Sequence, residues 1–213
     1  AFRKICPHAR FYQASTSEMY GIPPHFPQNE RTPFHPVNPY GIAKLFGHQL
    51  TVSYRESYGL FTCSGICFNH ESPRRGFGFV TRKISDGVAR IKLGMQKKLQ
   101  LGNLESRRDW GFSGDYVRVM WKMLQSKVPT DYVIATGISH SVREFANLAF
   151  QLVGLDAEQH LVSDPRLMRP KDVTDLVGDA SRARHDLGWS PGVSFEELVK
   201  MMVKADLELE KKE

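Results

Sequence analysis

Three cysteines, Cys6, Cys63 and Cys67, are all that the 213-residue chain contains, and none of them stand in C-x-x-C spacing. An odd count without paired spacing argues against a disulfide framework and against a zinc site, and leaves reduced thiols as the reading. Long apolar runs are missing too. No stretch approaches the roughly 20 residues that a bilayer-spanning helix needs, and Ala1-Phe2-Arg3-Lys4-Ile5-Cys6-Pro7 has too short an apolar run for a signal peptide. The expectation is a cytoplasmic protein with no membrane partner and no metal. The net charge of +6 invites a nucleic-acid reading. Against it, no basic run exceeds the two residues of Lys97-Lys98, and acidic side chains are interspersed throughout. No nucleic acid is expected. Arginines that grip a small phosphorylated anion account for the surplus better, because a planar guanidinium binds phosphate in bidentate fashion.

What is present is ample apolar content, 41%, for one large domain or two small ones, and one chemically loaded stretch. An apolar, strand-like run, Arg10-Phe11-Tyr12-Gln13-Ala14, leads into Ser15-Thr16-Ser17-Glu18. A proline-rich loop follows, and Tyr40-Gly41-Ile42-Ala43-Lys44 opens a helix that runs to about Tyr58, with Gly59 as its stop. Residues four apart on a helix share a face, so Lys44 is placed beside Tyr40. A positive neighbour and a helix N-terminus both favour a phenolate over a phenol, which is what a general base requires. Thr16 and Ser17, at the carboxyl end of a strand, lie where open α/β sheets place ligands. Glu18 adds a second acid or base. Taken alone, the Tyr/Lys spacing also describes an ordinary solvated helix face.

Downstream, residues 60–68 read as a buried strand and the last clear one of its sheet, and residues 69–78 as an irregular loop that starts a second lobe. Helices are expected over 79–93, 115–124, 141–153 and 181–187, with Ser141 and Glu144 forming a capping box. A short strand is expected at 98–101, a strand and turn at 132–137, and an extended piece at 176–178. A last helix starts at Ser194 with Glu197 three residues on, carries Leu198, Met202 and Ala205 on its apolar face, and frays over 208–213.

The run Ser15-Thr16-Ser17-Glu18, then Pro39-Tyr40-Gly41-Ile42-Ala43-Lys44, resembles the Ser/Thr–Tyr–Lys arrangement of the nucleotide-sugar-modifying extended short-chain dehydrogenases/reductases. Three longer segments are similar to the GDP-mannose 4,6-dehydratase family: Phe68-Asn69-His70-Glu71-Ser72-Pro73-Arg74-Arg75-Gly76, Phe79-Val80-Thr81-Arg82-Lys83, and Leu101 to Gly111 with Asn103, Arg107, Arg108 and Trp110. The resemblance runs from about Arg10 to the C-terminus.

This resemblance implies an α/β fold: the remaining C-terminal part of a Rossmann-like parallel sheet over residues 1–68, and over 69–213 mainly a smaller α/β substrate-binding lobe. It implies NADP as cofactor and GDP-mannose as substrate. The C4 hydroxyl is oxidised to a ketone, which acidifies the C5 proton; water leaves C6, and the hydride returns there. By matched position, Tyr40 is the first base, Lys44 its activator and a ribose contact, Thr16 the orienting hydroxyl and Glu18 the C5 base. His70 and Arg75 match cofactor contacts. Asn69, Lys83, Arg108, Arg143 and Arg169 match positions that hold the nucleotide sugar. Asp172 stands where the family usually has glutamate, so its reach toward the ribose hydroxyls is shorter by one methylene. A homo-oligomer, dimer or tetramer, is implied, with the Arg74-Arg75-Gly76 loop reaching toward a neighbour's cofactor. A reductase or epimerase of the same fold, or a non-catalytic nucleotide-sugar-binding fragment, remains the alternative.

Residues 1–6 read as the last turns of a helix stopped by Pro7. In the resembled family a glycine-rich dinucleotide-binding half precedes such a point, and no glycine motif of that kind lies ahead of the strand at 10–15. The expectation is therefore a C-terminal portion of a larger enzyme.

Overall fold

The computed structural model describes residues 2–168 and 175–211. After a single helical turn, α1 (Phe2–Ile5), strand β1 (Phe11–Thr16) runs into a short 3-10 turn, Ser17–Met19. Helix α2 (Pro39–Tyr58) and strand β2 (Thr62–Cys67) follow. Gly59 closes α2 in the left-handed region, φ 61°, where a side chain would strain the backbone. The strands β1 and β2 pair in parallel with Phe11 opposite Thr62 and Thr16 opposite Cys67. A crossover helix between parallel strands is the arrangement such pairing requires.

The chain then continues through β3 (Asn69–Glu71), α3 (Val80–Lys92), β4 (Leu99–Leu101), β5 (Arg107–Arg108), β6 (Trp110–Phe112), α4 (Ser113–Gln125), β7 (Tyr132–Ile134) and β8 (His140–Ser141). It ends with α5 (Val142–Leu152), α6 (Ala157–His160), β9 (Leu161–Ser163), α7 (Ser181–Leu187) and α8 (Phe195–Glu210). The sheet order is β1-β2-β7, so β2 is not the last strand of its sheet, as its position in the chain suggested. The chain returns to pair Ile66 with Val133. Every residue of β2 is buried, because helices cover both faces. Cys63 and Cys67 point toward Tyr116, Val119 and Met123 of α4 and Ala183 of α7. On the alternate face, Ile66 and Val133 pack with Met19, Tyr20 and Leu45. The packing around β2 thus draws on residues from both sides of position 68.

A second core joins α3, α5 and α8, with Ile84, Val88, Phe145, Phe150, Leu198 and Met202 buried together. The capping boxes at Ser141/Glu144 and Ser194/Glu197 are both formed. Two further differences from the sequence expectations have physical causes, and one stretch that carries no expectation is structured. Residues 69–71, read as loop, form β3 because Trp110–Phe112 supplies a parallel partner that the polar Asn-His-Glu run does not advertise. The stretch 157–163 forms α6 and β9, and β9 pairs with β4. Rather than fraying from 208, α8 is regular to Glu210, which is 6% exposed and ion-paired with Arg90 at 2.9 Å. Gly178 bridges in parallel to Gln28, in keeping with the extended piece expected there. None of the described helices is long and apolar enough to cross a membrane.

Asp109, fully buried, accepts from the backbone N–H and hydroxyl of Thr136 (2.9 and 2.6 Å) and from the N–H groups of Gly137 (2.9 Å) and Gly178 (3.2 Å). On the other side of the sheet, His48 of α2 is buried with Nδ1 3.0 Å from the Ser15 hydroxyl.

Burial pushes the His48 pKa below its ordinary 6.5, with the Arg55 charge adding to the shift and Asp131 opposing it. Because the folded value lies below the unfolded one, the unfolded chain takes up the proton first, and stability falls as pH drops through about 6.5. We expect the urea midpoint of the wild type to lose more between about pH 7.5 and 5.5 than that of His48→Gln. Equal losses would remove His48 as the cause.

Candidate functional site

At the carboxyl end of β1 the chain turns at once, and the turn is built from side chains expected to carry the chemistry. The Thr16 hydroxyl accepts from the N–H of Glu18 at 3.3 Å, capping the 3-10 turn. Twenty residues on, Asn38 does two jobs. Its carbonyl oxygen accepts from the Gly41 N–H at 2.7 Å, capping α2, and its amide donates to Glu18 Oε2 at 2.9 Å. Asparagine at the N-cap followed by proline at the first helical position is a strong helix start. Here the same residue also aims the carboxylate.

Gly41 lets the two pieces meet. A Cβ there would lie 2.6 Å from the carbonyl oxygen of Glu18, so α2 reaches the turn only because that position has no side chain. Three residues further along, Lys44 donates to the Ala14 carbonyl at 2.9 Å and stands 5.6 Å from the centre of the Tyr40 ring. Tyr40 is 55% exposed, so its phenol faces outward rather than into a core. Thr16, Glu18, Tyr40 and Lys44 are thereby gathered on one strand–turn–helix unit.

His70, on β3 beside the end of β2, lies stacked on the Tyr116 ring at 4.8 Å and places Nδ1 2.9 Å from the Phe68 carbonyl. A carbonyl can only accept, so Nδ1 carries the proton and Nε2 is left as an acceptor. Burial lowers the pKa of His70, the Phe68 carbonyl opposes this and the Arg75 charge reinforces it, which keeps the ring neutral near pH 7. Asn69, next to it, is half-buried. Arg75 lies 3.5 Å over the Phe79 ring and pairs through Nε with buried Glu71 at 3.0 Å. Burial raises the Glu71 carboxyl, while Arg75 and the Thr81 hydroxyl, 2.7 Å away, pull it back down.

Of the other residues expected to hold a nucleotide sugar, Lys83, Arg108 and Arg143 are described. Lys83 is exposed on α3 and lines a cavity of about 510 Å³ with Phe77, Asp86, Gln96, Lys98 and Gln100. Arg108, on β5 opposite His140, donates to the Ser106 hydroxyl at 3.2 Å and to the Arg107 carbonyl at 2.7 Å. Arg143, in the first turn of α5, pairs with Glu105 at 2.7 Å, so a ligand phosphate there competes with an internal carboxylate. Arg169 and Asp172 lie outside the described residues. A separate cavity of about 310 Å³, lined by Phe2, Phe11, Gln13, Leu50 and Tyr54 at the outer edge of β1, contains none of the predicted site residues. Among the described residues no group of His, Cys, Asp and Glu is placed to hold a metal ion.

The family model for GDP-mannose 4,6 dehydratase matches residues 1–202. The chain belongs to that family. It is 57% identical over 204 residues to GDP-mannose 4,6 dehydratase 1 of Arabidopsis thaliana, covering 96% of this chain and 56% of that protein. To the human GDP-mannose 4,6 dehydratase it is 49% identical over 217 aligned residues, 94% of this chain and 58% of that one. The chain thus spans little more than half the length of these curated relatives. Among solved structures, dTDP-glucose 4,6-dehydratase from Bacillus anthracis in complex with NAD superposes with a TM-score of 0.86 at 23% identity, over 99% of this chain and 65% of that one. RMD from Pseudomonas aeruginosa complexed with NADPH gives 0.86 at 22% identity, over 94% of this chain and 67% of that one. At such identities the likeness is one of fold: α/β, with the parallel sheet of a Rossmann-type enzyme.

Asn38, Gly41 and Glu71 were not singled out from the sequence. The Asn-Pro pair ahead of Tyr40 was the readable signal for the first; the other two act through contacts that only folding creates. Alanine at a helical glycine ordinarily stabilises by up to about 1 kcal/mol. Gly41→Ala is expected to do the reverse, lowering stability by about 1–3 kcal/mol through the clash with Glu18, as read from denaturant midpoints.

Proposed function

We propose that the protein dehydrates GDP-mannose to GDP-4-keto-6-deoxymannose, with NADP as a resident hydride carrier that is regenerated in each cycle. The observation that carries this reading is the carboxylate of Glu18, tied by Asn38 to the start of the helix that bears Tyr40 and Lys44. A reductase or epimerase with the same Tyr/Lys pair can work without that acid, whereas removing a C5 proton requires a base at a second carbon.

The residues present fit a nicotinamide dinucleotide. Lys44 gives one N–H to Ala14 and keeps donors for a ribose hydroxyl. The phenol of Tyr40 is exposed, His70 offers Nε2 as an acceptor, and Arg75 brings a positive charge. When bound, NADP supplies the acceptor for the C4 hydride and gives it back at C6. The chain's own groups do the rest. Thr16 orients the sugar hydroxyl, and Tyr40 takes the C4 hydroxyl proton with the Lys44 charge beside it. Glu18 then takes the C5 proton and passes it to the C6 hydroxyl, which departs as water, and the proton held by Tyr40 is returned to C5. Asn69, Lys83, Arg108, Arg143, Arg169 and Asp172 hold the nucleotide and its pyrophosphate, which charge-assisted hydrogen bonds suit. The same reading includes a cytoplasmic location and a homo-oligomer, dimer or tetramer. The exposed row Ile42, Phe46 and Leu50 on α2 supplies apolar surface for self-association.

The protein incubated with GDP-mannose and NADP is expected to give a product lighter by one water, with no net change in reduced-cofactor absorbance. Net consumption of reduced cofactor would replace dehydration with reduction. Glu18→Gln and Tyr40→Phe should each lower kcat by about 10²–10⁴-fold while GDP-mannose affinity, read by calorimetry, stays near wild type.

A further inference from the structure

Arg82, one turn into α3, is only 6% exposed, and its donors are divided between two distant parts of the chain. Nη1 donates to the carbonyl of Pro73 and, at 3.1 Å, to the carbonyl of Arg75. Nη2 pairs with Asp206 Oδ1 at 2.6 Å, and the guanidinium lies 4.4 Å from the centre of the Phe77 ring. Asp206 is fully buried near the end of α8, and its Oδ2 accepts from the Ser85 hydroxyl at 2.5 Å.

The segment from Ser72 to Phe79 has no strand or helix pairing of its own, contains two glycines, and exposes Arg74, Gly76, Phe77, Gly78 and Phe79. Its order comes from beneath. Glu71 holds Arg75 from one side. Arg82 holds the backbone on either side of Arg74, and Asp206 neutralises Arg82. An apolar residue would fill the space yet leave the Pro73 and Arg75 carbonyls without these partners. A lysine ammonium would keep the charge but lacks the planar fork that spans two carbonyls and a carboxylate.

We propose that Arg82, with Asp206 as its counter-ion, is a positioning residue for Arg75: together they lock the 72–79 segment to the C-terminal helix and so set where the Arg75 guanidinium is presented. The inference rests on the reading of Arg75 as a cofactor contact. It makes the docking of α8, more than a hundred residues away in sequence, a determinant of cofactor affinity rather than of sugar affinity.

Hydrogen exchange read by mass spectrometry on the chain tests the lock without any ligand. In Arg82→Lys, and in Asp206→Asn as the milder second variant, exchange over 72–79 should quicken about tenfold while α5 keeps its wild-type protection. The second arm is calorimetric: NADP affinity should fall about five- to tenfold in both variants and GDP-mannose affinity by less than about twofold. Faster exchange spread evenly over the chain, unchanged exchange at 72–79, or equal losses for the two ligands would each overturn the proposal. A wild-type protein that ignored both ligands would sink the functional reading instead, with the exchange arm still judging the lock.

Discussion

One buried carboxylate ties distant segments of the chain together. Asp109 gathers hydrogen bonds from residues 27 to 69 positions away, from the end of β7 and from Gly178, and its own N–H donates to the Leu176 carbonyl at 3.2 Å. Burial raises its pKa, and the surrounding donors oppose the rise. A buried acceptor of this kind is expensive to leave unpaired, so the segments that satisfy it must all arrive together. The next residue, Trp110, begins β6, whose pairing with Asn69 and His70 puts those side chains at the end of the main sheet. The placement of Asn69 and His70 relative to the Tyr40 unit follows from this junction.

The two halves of the candidate site are secured differently. The Thr16–Glu18–Tyr40–Lys44 unit is held by short-range means: a capping asparagine, a glycine that permits contact, and a lysine anchored to the strand it packs on. Its geometry depends on about thirty consecutive residues. The Arg75 segment is held by charge pairs, the local Glu71 beneath and the long-range pair of Arg82 with Asp206 behind. Such pairs are costly to break, because removing one partner strands a buried charge. Precise placement of an otherwise irregular loop is what they supply in return.

Much of this was legible beforehand. The helix bearing Tyr40 and Lys44, the strand before it, the capping boxes at Ser141 and Ser194, and the glycine stop at Gly59 are local matters of periodicity and cap chemistry, and they stand where expected. The family, too, was legible, because long runs such as Asn69 to Gly76 are particular enough to be matched directly. The regularity of α8 to its end was not. Asp206 and Glu210 look like solvated charges in a chain read residue by residue, and only Arg82 and Arg90 on another helix make them interior.

The sequence by itself therefore determined the elements, the motif-bearing unit and the family, since each is written in residues close together in the chain. Tertiary structure decided that β7 joins the sheet, that Asn69–Glu71 is a strand, and that buried charges from α8 reach the Arg75 segment. The reason is the same in each case. A polar or charged residue carries no local mark of being buried, and what buries it is a partner supplied by a segment many residues away.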